Sequence, residues 1–318
     1  MKCMLVLLYR IKRERITNMN IKVKNIIKDL DLFKNIYDII RIVDPITKEV
    51  YDTVFSDSYN IDILPPTPNN FCYSFWNRDE VCENCVSTRS LKTGKSYVKI
   101  EHNTLSSYLV TTSRVIFNDT PYTLELIREI HETDVITSVN SIDYINIEQK
   151  LIDLNHDLVI DSLTKAYNKK FIEERIPYNL EFYKKRNNDF SLILCDIDKF
   201  KTVNDTYGHL AGDYILKEFV DIIKDNIRNK NDWIGRYGGD EFIIFLDNSN
   251  LESSIKVIEK IRLKIKNTPF HFENNEINIT ASFGLAKPNK NDSYESIIEK
   301  CDKNLYISKE NGRDRITY

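Results

Sequence analysis

The sequence predicts an α+β protein built from two domains and a helical linker. Three observations carry that expectation. The chain has 318 residues, about two domains of ordinary size. Its first half offers strand-like runs in the order two, an irregular middle, then three, while its second half alternates helical periods with short apolar runs. Between the halves, from about residue 134 to residue 160, strand signals stop and apolar residues recur in steps of three and four.

Composition narrows the class. Hydrophobic residues make up 42% and charged residues 29%, with a net charge of −3, the balance of a soluble globular protein. No basic stripe advertises a nucleic acid polymer as partner. Any phosphate-bearing ligand must therefore be held locally, by a few lysines, arginines or a metal.

Taken in order, residues 1–20 read as an N-terminal extension. "MKCMLVLLYRIKRER" has an apolar core shorter than the about 20 residues a membrane span takes. No small-residue cleavage site follows it, and Met1 and Met19 both stand as starts. No other stretch could cross a bilayer, so a cytoplasmic protein with no membrane insertion is expected. Residues 21–133 are the first domain. Ile26, Ile27, Leu30, Leu32, Phe33 and Ile36 fall at helical spacing and predict an amphipathic helix within 21–40. "DIIRIVDPITKEVYDTV" then reads as strand, Pro-containing turn, strand, and "KSYVKIEH", "SSYLVTTSRVIF" and "TPYTLELIREI" as three further strands. In this order the segment resembles a PAS domain, which implies a sensory role. Residues 134–160 align Tyr144, Ile147, Leu151, Leu154 and Leu158, the seam either of a parallel coiled-coil linker or of one helix packed on its own domain.

Residues 161–318 are the second domain, expected as helix, strand, helix, hairpin, helix, strand, strand-like tail, helix: helices covering a mixed sheet. "FSLILCDID" is a nearly continuous apolar run, as a strand buried on both faces requires. Asp196 and Asp198 close it. Two apart on a strand they share a face, and buried carboxylates need a cation, donors or solvent. They suit Mg²⁺ with substrate phosphates, or simply start a solvated loop. In "RYGGDEFIIFL", Gly238 and Gly239 allow a tight hairpin and close backbone approach to a ligand. Asp240 and Glu241 follow on alternate faces, so one can face a ligand while the other serves the scaffold.

These stretches together, "DSLTKAYNKK", "DIDKFKTVNDTYGHLAGDYIL", "RYGGDEF", "ASFGLA" and "DKNLYISKENGRDRI", resemble the GGDEF family of diguanylate cyclases over about Asp161 to Tyr318. The resemblance implies a palm-like fold and a nucleotidyltransferase that condenses two GTP into cyclic di-GMP and two pyrophosphates. It implies Mg²⁺ (or Mn²⁺) held by Asp196, the Ile197 carbonyl and Asp240. Asp240 doubles as general base for the 3′-hydroxyl, and Glu241 supports the metal. Lys201 would meet transition-state phosphate charge, and Lys309 and Arg313, one helical turn apart, would bind the terminal phosphates. Asn204, His209 and Asp213 match the substrate-binding positions. Guanine donates from N1 and N2, which Asp213 can accept, and adenine would leave that carboxylate unpaired at ~1–3 kcal/mol. Each domain holds one GTP, so a homodimer is implied for turnover.

The rival reading is a degenerate GGDEF module that serves as a receptor for GTP or cyclic di-GMP; the intact signature argues against it. A mixed adenine-guanine cyclase is disfavoured by Asp213. The chain departs from the family at Lys165, Ala166 and Lys169, where Gly, Leu and Arg are usual. It departs again before the hairpin, where the arginine of the family's RxxD product site is Asn229, three residues before Asp232; Arg228 stands one residue out of place. Weak product feedback is expected, with a lone Asp232 repelling the dianionic product.

Six cysteines, Cys3, Cys72, Cys82, Cys85, Cys195 and Cys301, are too few and scattered for a disulfide scaffold. Cys72, Cys82 and Cys85, with His102 on a following strand, admit three readings: buried thiols, a zinc or iron–sulfur site, or a redox pair. His131, His156 and His271 read as solvated or structural.

Overall fold

The computed structural model describes residues 30–56, 59, 70–78, 80–103, 106–117, 119–130, 158–186, 189–228 and 231–318. The chain divides into two compact units, residues 1–152 and 153–318.

The first unit is a five-stranded antiparallel sheet. Strands β1 (Ile39–Val43) and β2 (Val50–Phe55) form the expected Pro-turn hairpin, where Asp44 Oδ1 accepts from the Ile46 and Thr47 amides at 2.7 and 3.1 Å. A 3-10 helix (Cys72–Trp76) and helix α1 (Val86–Thr93) follow, then β3 (Tyr97–His102), β4 (Ser107–Phe117) and β5 (Thr120–Ile130). The spatial order is β2-β1-β5-β4-β3. Ile39, Phe75, Trp76, Cys82, Tyr108, Val110 and Ile127 build its core. Arg41 and Glu125, directly opposite on β1 and β5, are a buried ion pair at 2.6 Å. The helix expected within 21–40 is corrected in its described part. Leu30–Asn35 is a short 3-10 helix, with Phe33 and Ile36 exposed. The Asp38 amide already donates to the Ile127 carbonyl at 2.9 Å, so the sheet claims the chain before a helical turn can continue. Ile26 and Ile27 lie outside the described residues, as do Tyr144, Ile147, Leu151 and Leu154 of the linker seam; Leu158 is exposed.

In the second unit, β6 (Phe190–Ile197) is the central strand and every residue of it is buried. The sheet order is β12-β11-β6-β8-β7, with β7 at Trp233–Gly238, β8 at Glu241–Asp247, β11 at Ala281–Ala286 and β12 at Ile316–Thr317. Only the β11–β12 pairing is parallel, so the sheet is mixed. Helices α3 (Phe200–Tyr207), α4 (His209–Lys224) and α5 (Leu251–Lys266) sit over one core, built on residues such as Ile215, Phe219 and Ile261. Helices α2 (Lys169–Arg186) and α6 (Tyr294–Glu310) sit over the other, with Ile172, Ile176, Ile297 and Leu305. Burial on both faces is why β6 carries no polar alternation until its end.

Two expectations change. "INITASFGLA" is not one strand, because a small hairpin (β9, Phe270–Phe272; β10, Asn275–Ile277) takes its first residue, Ile277, and β11 begins only at Ala281. The chain ends in strand β12, two residues long and too short for any period to reveal.

Candidate active site

The end of β6 delivers Asp196, and cross-strand register places Glu241 on one side of it and Ser282 on the other. Side chains directly opposite on neighbouring strands share a face, so Asp196 and Glu241 converge. Asp240 occupies the turn just before β8. Lys309, from α6, donates Nζ to Asp196 Oδ2 at 2.8 Å. Burial pushes the Asp196 carboxyl up to about 6; Lys309 pulls it down, and the charges of Asp240 and Glu241 push it up again. The charges of both hairpin carboxylates act on Asp196. The cluster holds more negative charge than one ammonium offsets.

The hairpin itself is open. The register slips between Arg236 and Gly238, and Gly239 takes φ +53°. A Cβ on either glycine would meet nothing within 4 Å, leaving room for a ligand against the backbone. Arg236 fastens the turn, donating Nε to the Gly239 carbonyl at 2.9 Å and Nη1 to Asp161 Oδ1 at 3.2 Å. Asp161 also accepts from the Thr164 amide (2.9 Å) and hydroxyl (2.7 Å). Burial opposes its charge, but these hydrogen bonds and Arg236 hold its carboxyl below the usual value. The Asp-x-x-Thr turn is a signal visible in sequence; its reach to Arg236 is not.

Asp198 behaves differently from Asp196. It lies just past β6 and accepts from Thr280 Oγ1 (2.6 Å), Ser282 Oγ (2.7 Å) and the Asp314 amide (3.1 Å). Its donors are protein groups, and it ties the sheet end to the C-terminal turn. Asp314 in turn binds Arg262, and Lys266 at 2.7 Å. Neither role of this turn was visible from spacing. Lys309 and Arg313 are not a helical pair: α6 stops at Glu310, and Gly312, Arg313 and Asp314 have φ of +104°, +65° and +46°. This left-handed turn carries Arg313 off the helix face, exposed.

Lys201, on α3, and His209, the first residue of α4, are exposed; Asn204 and Asp213 are half-buried. The two helices meet at Gly208, and Asn204 lies against Gly212 so closely that a Cβ there would fall 1.9 Å from Asn204 Oδ1. Ile197, whose carbonyl is the expected third metal donor, ends β6 fully buried.

Before the hairpin, Arg228 grips Asp232 with Nε (2.9 Å) and Nη2 (2.8 Å), and the carboxylate also accepts from the Arg228 and Asp247 amides. The Asp232 side chain is 2% exposed. Repulsion of product by a lone Asp232 is thus the wrong picture: the carboxylate is neutralised and buried inside its own turn. Asn229 lies outside the described residues.

Among the described residues, no group of three or more His, Cys, Asp and Glu side chains is arranged to hold a metal ion. Cys72, Cys82, Cys85 and His102 are therefore not brought together as a metal site; His102 Nδ1 instead bonds Ser107 Oγ at 2.8 Å, and the cysteines are free thiols. His271 is exposed on β9, while His131 and His156 lie outside the described residues. No described helix is long and apolar enough to cross a membrane.

Residues 158–315 match the family described as diguanylate cyclase, GGDEF domain. Diguanylate cyclase A of Treponema denticola is 36% identical over 190 residues, 59% of this chain and 51% of that protein. Diguanylate cyclase DosC of Escherichia coli is 36% identical over 162 residues, 51% of this chain and 35% of that protein. The chain thus spans about half or less of these relatives. Among solved structures, the coiled coil and GGDEF domain of DgcB from Caulobacter crescentus, in complex with c-di-GMP, aligns with TM-score 0.53 and 26% identity, covering 56% of this chain and 94% of that one. Diguanylate cyclase SiaD of Pseudomonas aeruginosa, solved with its activator SiaC, aligns with TM-score 0.50 and 28% identity over 56% of this chain and 68% of that one. The second unit carries a GGDEF domain of palm-like, mixed α+β fold.

Proposed function

We propose that this chain, through its GGDEF domain, is a diguanylate cyclase that joins two GTP into cyclic di-GMP with release of two pyrophosphates. One observation carries the reading: Asp196 lies opposite Glu241 at the end of β6, beside an open hairpin that carries Asp240, and burial and the charges of Asp240 and Glu241 push Asp196 up to about 6 against the pull of Lys309. Such a cluster wants a cation, and hard oxygens suit Mg²⁺. Asp196, Asp240 and the Ile197 carbonyl would hold it, with Glu241 in support. When bound, Mg²⁺ (or Mn²⁺) neutralises phosphate charge and acidifies a coordinated hydroxyl.

The chain's own residues supply the rest. Asp240, at the mouth of the turn, takes the proton of the 3′-hydroxyl as that oxygen attacks the α-phosphorus of the second GTP. Lys309 exchanges Asp196 for phosphate oxygens, and Lys201 and Arg313, both exposed, add charge on the solvent side. Asn204, Asp213 and His209, around the α3–α4 junction, hold the nucleotide, with Asp213 accepting from guanine N1 and N2. Arg236, anchored on Asp161, keeps the hairpin in place. Each domain holds one GTP, so two chains face each other during turnover. The first unit, with two strands, a helical middle and three strands, is read as a PAS-like sensory module that regulates the reaction, and the protein as cytoplasmic.

The test is purified protein incubated with Mg²⁺ and GTP, followed by separation of the nucleotides. Cyclic di-GMP should form and be abolished by Asp240→Asn in a folded protein. Unchanged GTP with wild-type protein would favour a receptor module instead.

A further inference from the structure

The first unit gathers thiols and buried cations that cyclase chemistry does not use. Cys85 is the residue on which α1 begins. Its Sγ accepts from Lys48 Nζ at 3.3 Å and from Thr88 Oγ1 at 3.2 Å. Lys48 is fully buried, placed by the β1–β2 turn, and also donates to Thr88 Oγ1 at 2.6 Å and to the Pro45 carbonyl. Cys82, three residues earlier, is buried near Lys99, Glu101 and Arg78. Lys99 pairs with Glu101 and donates to the Asn84 carbonyl at 3.3 Å. Cys72 is buried near Glu125, Arg41 and Lys48.

The three thiols therefore differ in kind. Cys85 is half-buried, at a helix N-terminus, touching an ammonium and a hydroxyl, the surroundings that favour a thiolate nucleophile. Burial opposes its charge, but Lys48, Lys99 and Thr88 bring its thiol down to about 7. Burial pushes Cys72 and Cys82 up, and charge on Cys85 raises Cys82 further.

We propose that Cys85 is a peroxide-reactive cysteine and Cys82 its resolving partner, the two closing to a disulfide in the first unit. The oxidant class is a hydroperoxide. The Cys85 thiolate attacks the distal peroxide oxygen, the O–O bond breaks, and the leaving alkoxide or hydroxide takes a proton from the Lys48 ammonium, which water restores. Cys85 becomes a sulfenic acid. The Cys82 thiol then attacks its sulfur, and the hydroxyl leaves as water with the Cys82 proton. Two electrons pass from the dithiol to the peroxide, which is reduced to an alcohol or water.

The experiment uses full-length protein, reduced and then freed of reductant. Alkylation by iodoacetamide at about pH 7 should modify Cys85 roughly tenfold or more faster than Cys72. Hydrogen peroxide should yield a Cys82–Cys85 disulfide, identified by peptide mass. In Cys82→Ser, dimedone should trap Cys85 as sulfenic acid, and Lys48→Met should slow oxidation roughly tenfold. Cys85 alkylating no faster than Cys72 would overturn the proposal, as would undiminished disulfide formation in Lys48→Met. Stoichiometric zinc or iron in the protein as purified would overturn it too. If Lys48→Met does not fold, the wild-type alkylation rates decide.

Discussion

Replacing Gly212 with alanine should separate binding from folding at the proposed nucleotide site. A Cβ at this position would fall 1.9 Å from Asn204 Oδ1, 3.0 Å from its Cγ and 3.2 Å from Phe200 Cζ. Ordinary contact begins at 3.4 Å, so the Asn204 oxygen must retreat by 3.4 − 1.9 = 1.5 Å. A side-chain amide can do this by changing rotamer, and the helix gains ~1 kcal/mol of alanine propensity. Thermal stability should therefore hold or rise. If Asn204 hydrogen-bonds the base, a shift of that size breaks the bond, worth ~0.5–1.5 kcal/mol net. KM for GTP should then rise roughly 2- to 10-fold with kcat little changed, as for loss of an interaction common to ground and transition states. Pyrophosphate release across a GTP titration measures it, beside thermal unfolding. Asn204→Ala should raise KM similarly, and adding Gly212→Ala to it should do no further harm. An unchanged KM in a folded Gly212→Ala protein, or additive effects in the double variant, would refute the role given to Asn204.

Asp213→Ser should loosen base choice in GTP–ATP competition, because it removes the acceptor proposed for guanine N1 and N2; an unaltered preference would assign that reading to other groups. Added cyclic di-GMP should leave progress curves at saturating GTP nearly unchanged, since Asp232 is buried against Arg228; strong inhibition lost on Asp232→Ala would show the opposite. Lys165→Gly should raise stability by about 0.5–1 kcal/mol, because Lys165 sits at φ +56°, where a side chain is strained and glycine is not; chemical denaturation measures it. Arg41→Met should remove ~3–5 kcal/mol by stranding the Glu125 carboxylate. In the wild type, burial would raise Glu125, but Arg41 and Ser87 hold it below its usual value. That stabilisation is present above the unfolded value near 4 and is lost as pH falls through the folded one. Urea unfolding at neutral and acid pH, followed by first-unit fluorescence, checks both.

The elements were largely legible because their signals are local. The two hairpins, the buried strand β6 and the amphipathic helices α4, α5 and α6 each announce themselves within a window of about ten to twenty residues. Failures occurred where a tertiary partner outbid local pattern. The expected helix within 21–40 yields to the sheet at Asp38. Lys309 and Arg313 were paired as one helical turn apart, although the left-handed turn at Gly312 ends that geometry. Arg228 and Asp232 are a case the sequence did contain, four residues apart, and comparison with the family's arginine position obscured it.

By itself the sequence determined the two-part organisation, the GGDEF signature, and the residue types on which the proposed metal and nucleotide binding rests, because periodicity and turn chemistry act between near neighbours. Tertiary structure alone decided which charges meet. It set Lys309 on Asp196, Arg236 between Asp161 and Gly239, the Asp314 amide on Asp198, and Lys48 on Cys85. Apart from Arg236 and Gly239, near neighbours in the hairpin, these partners stand tens of residues apart, up to 116 for Asp198 and Asp314. Their encounter depends on strand order and register, and a charge's neighbours, not its identity, decide whether it binds, braces or reacts.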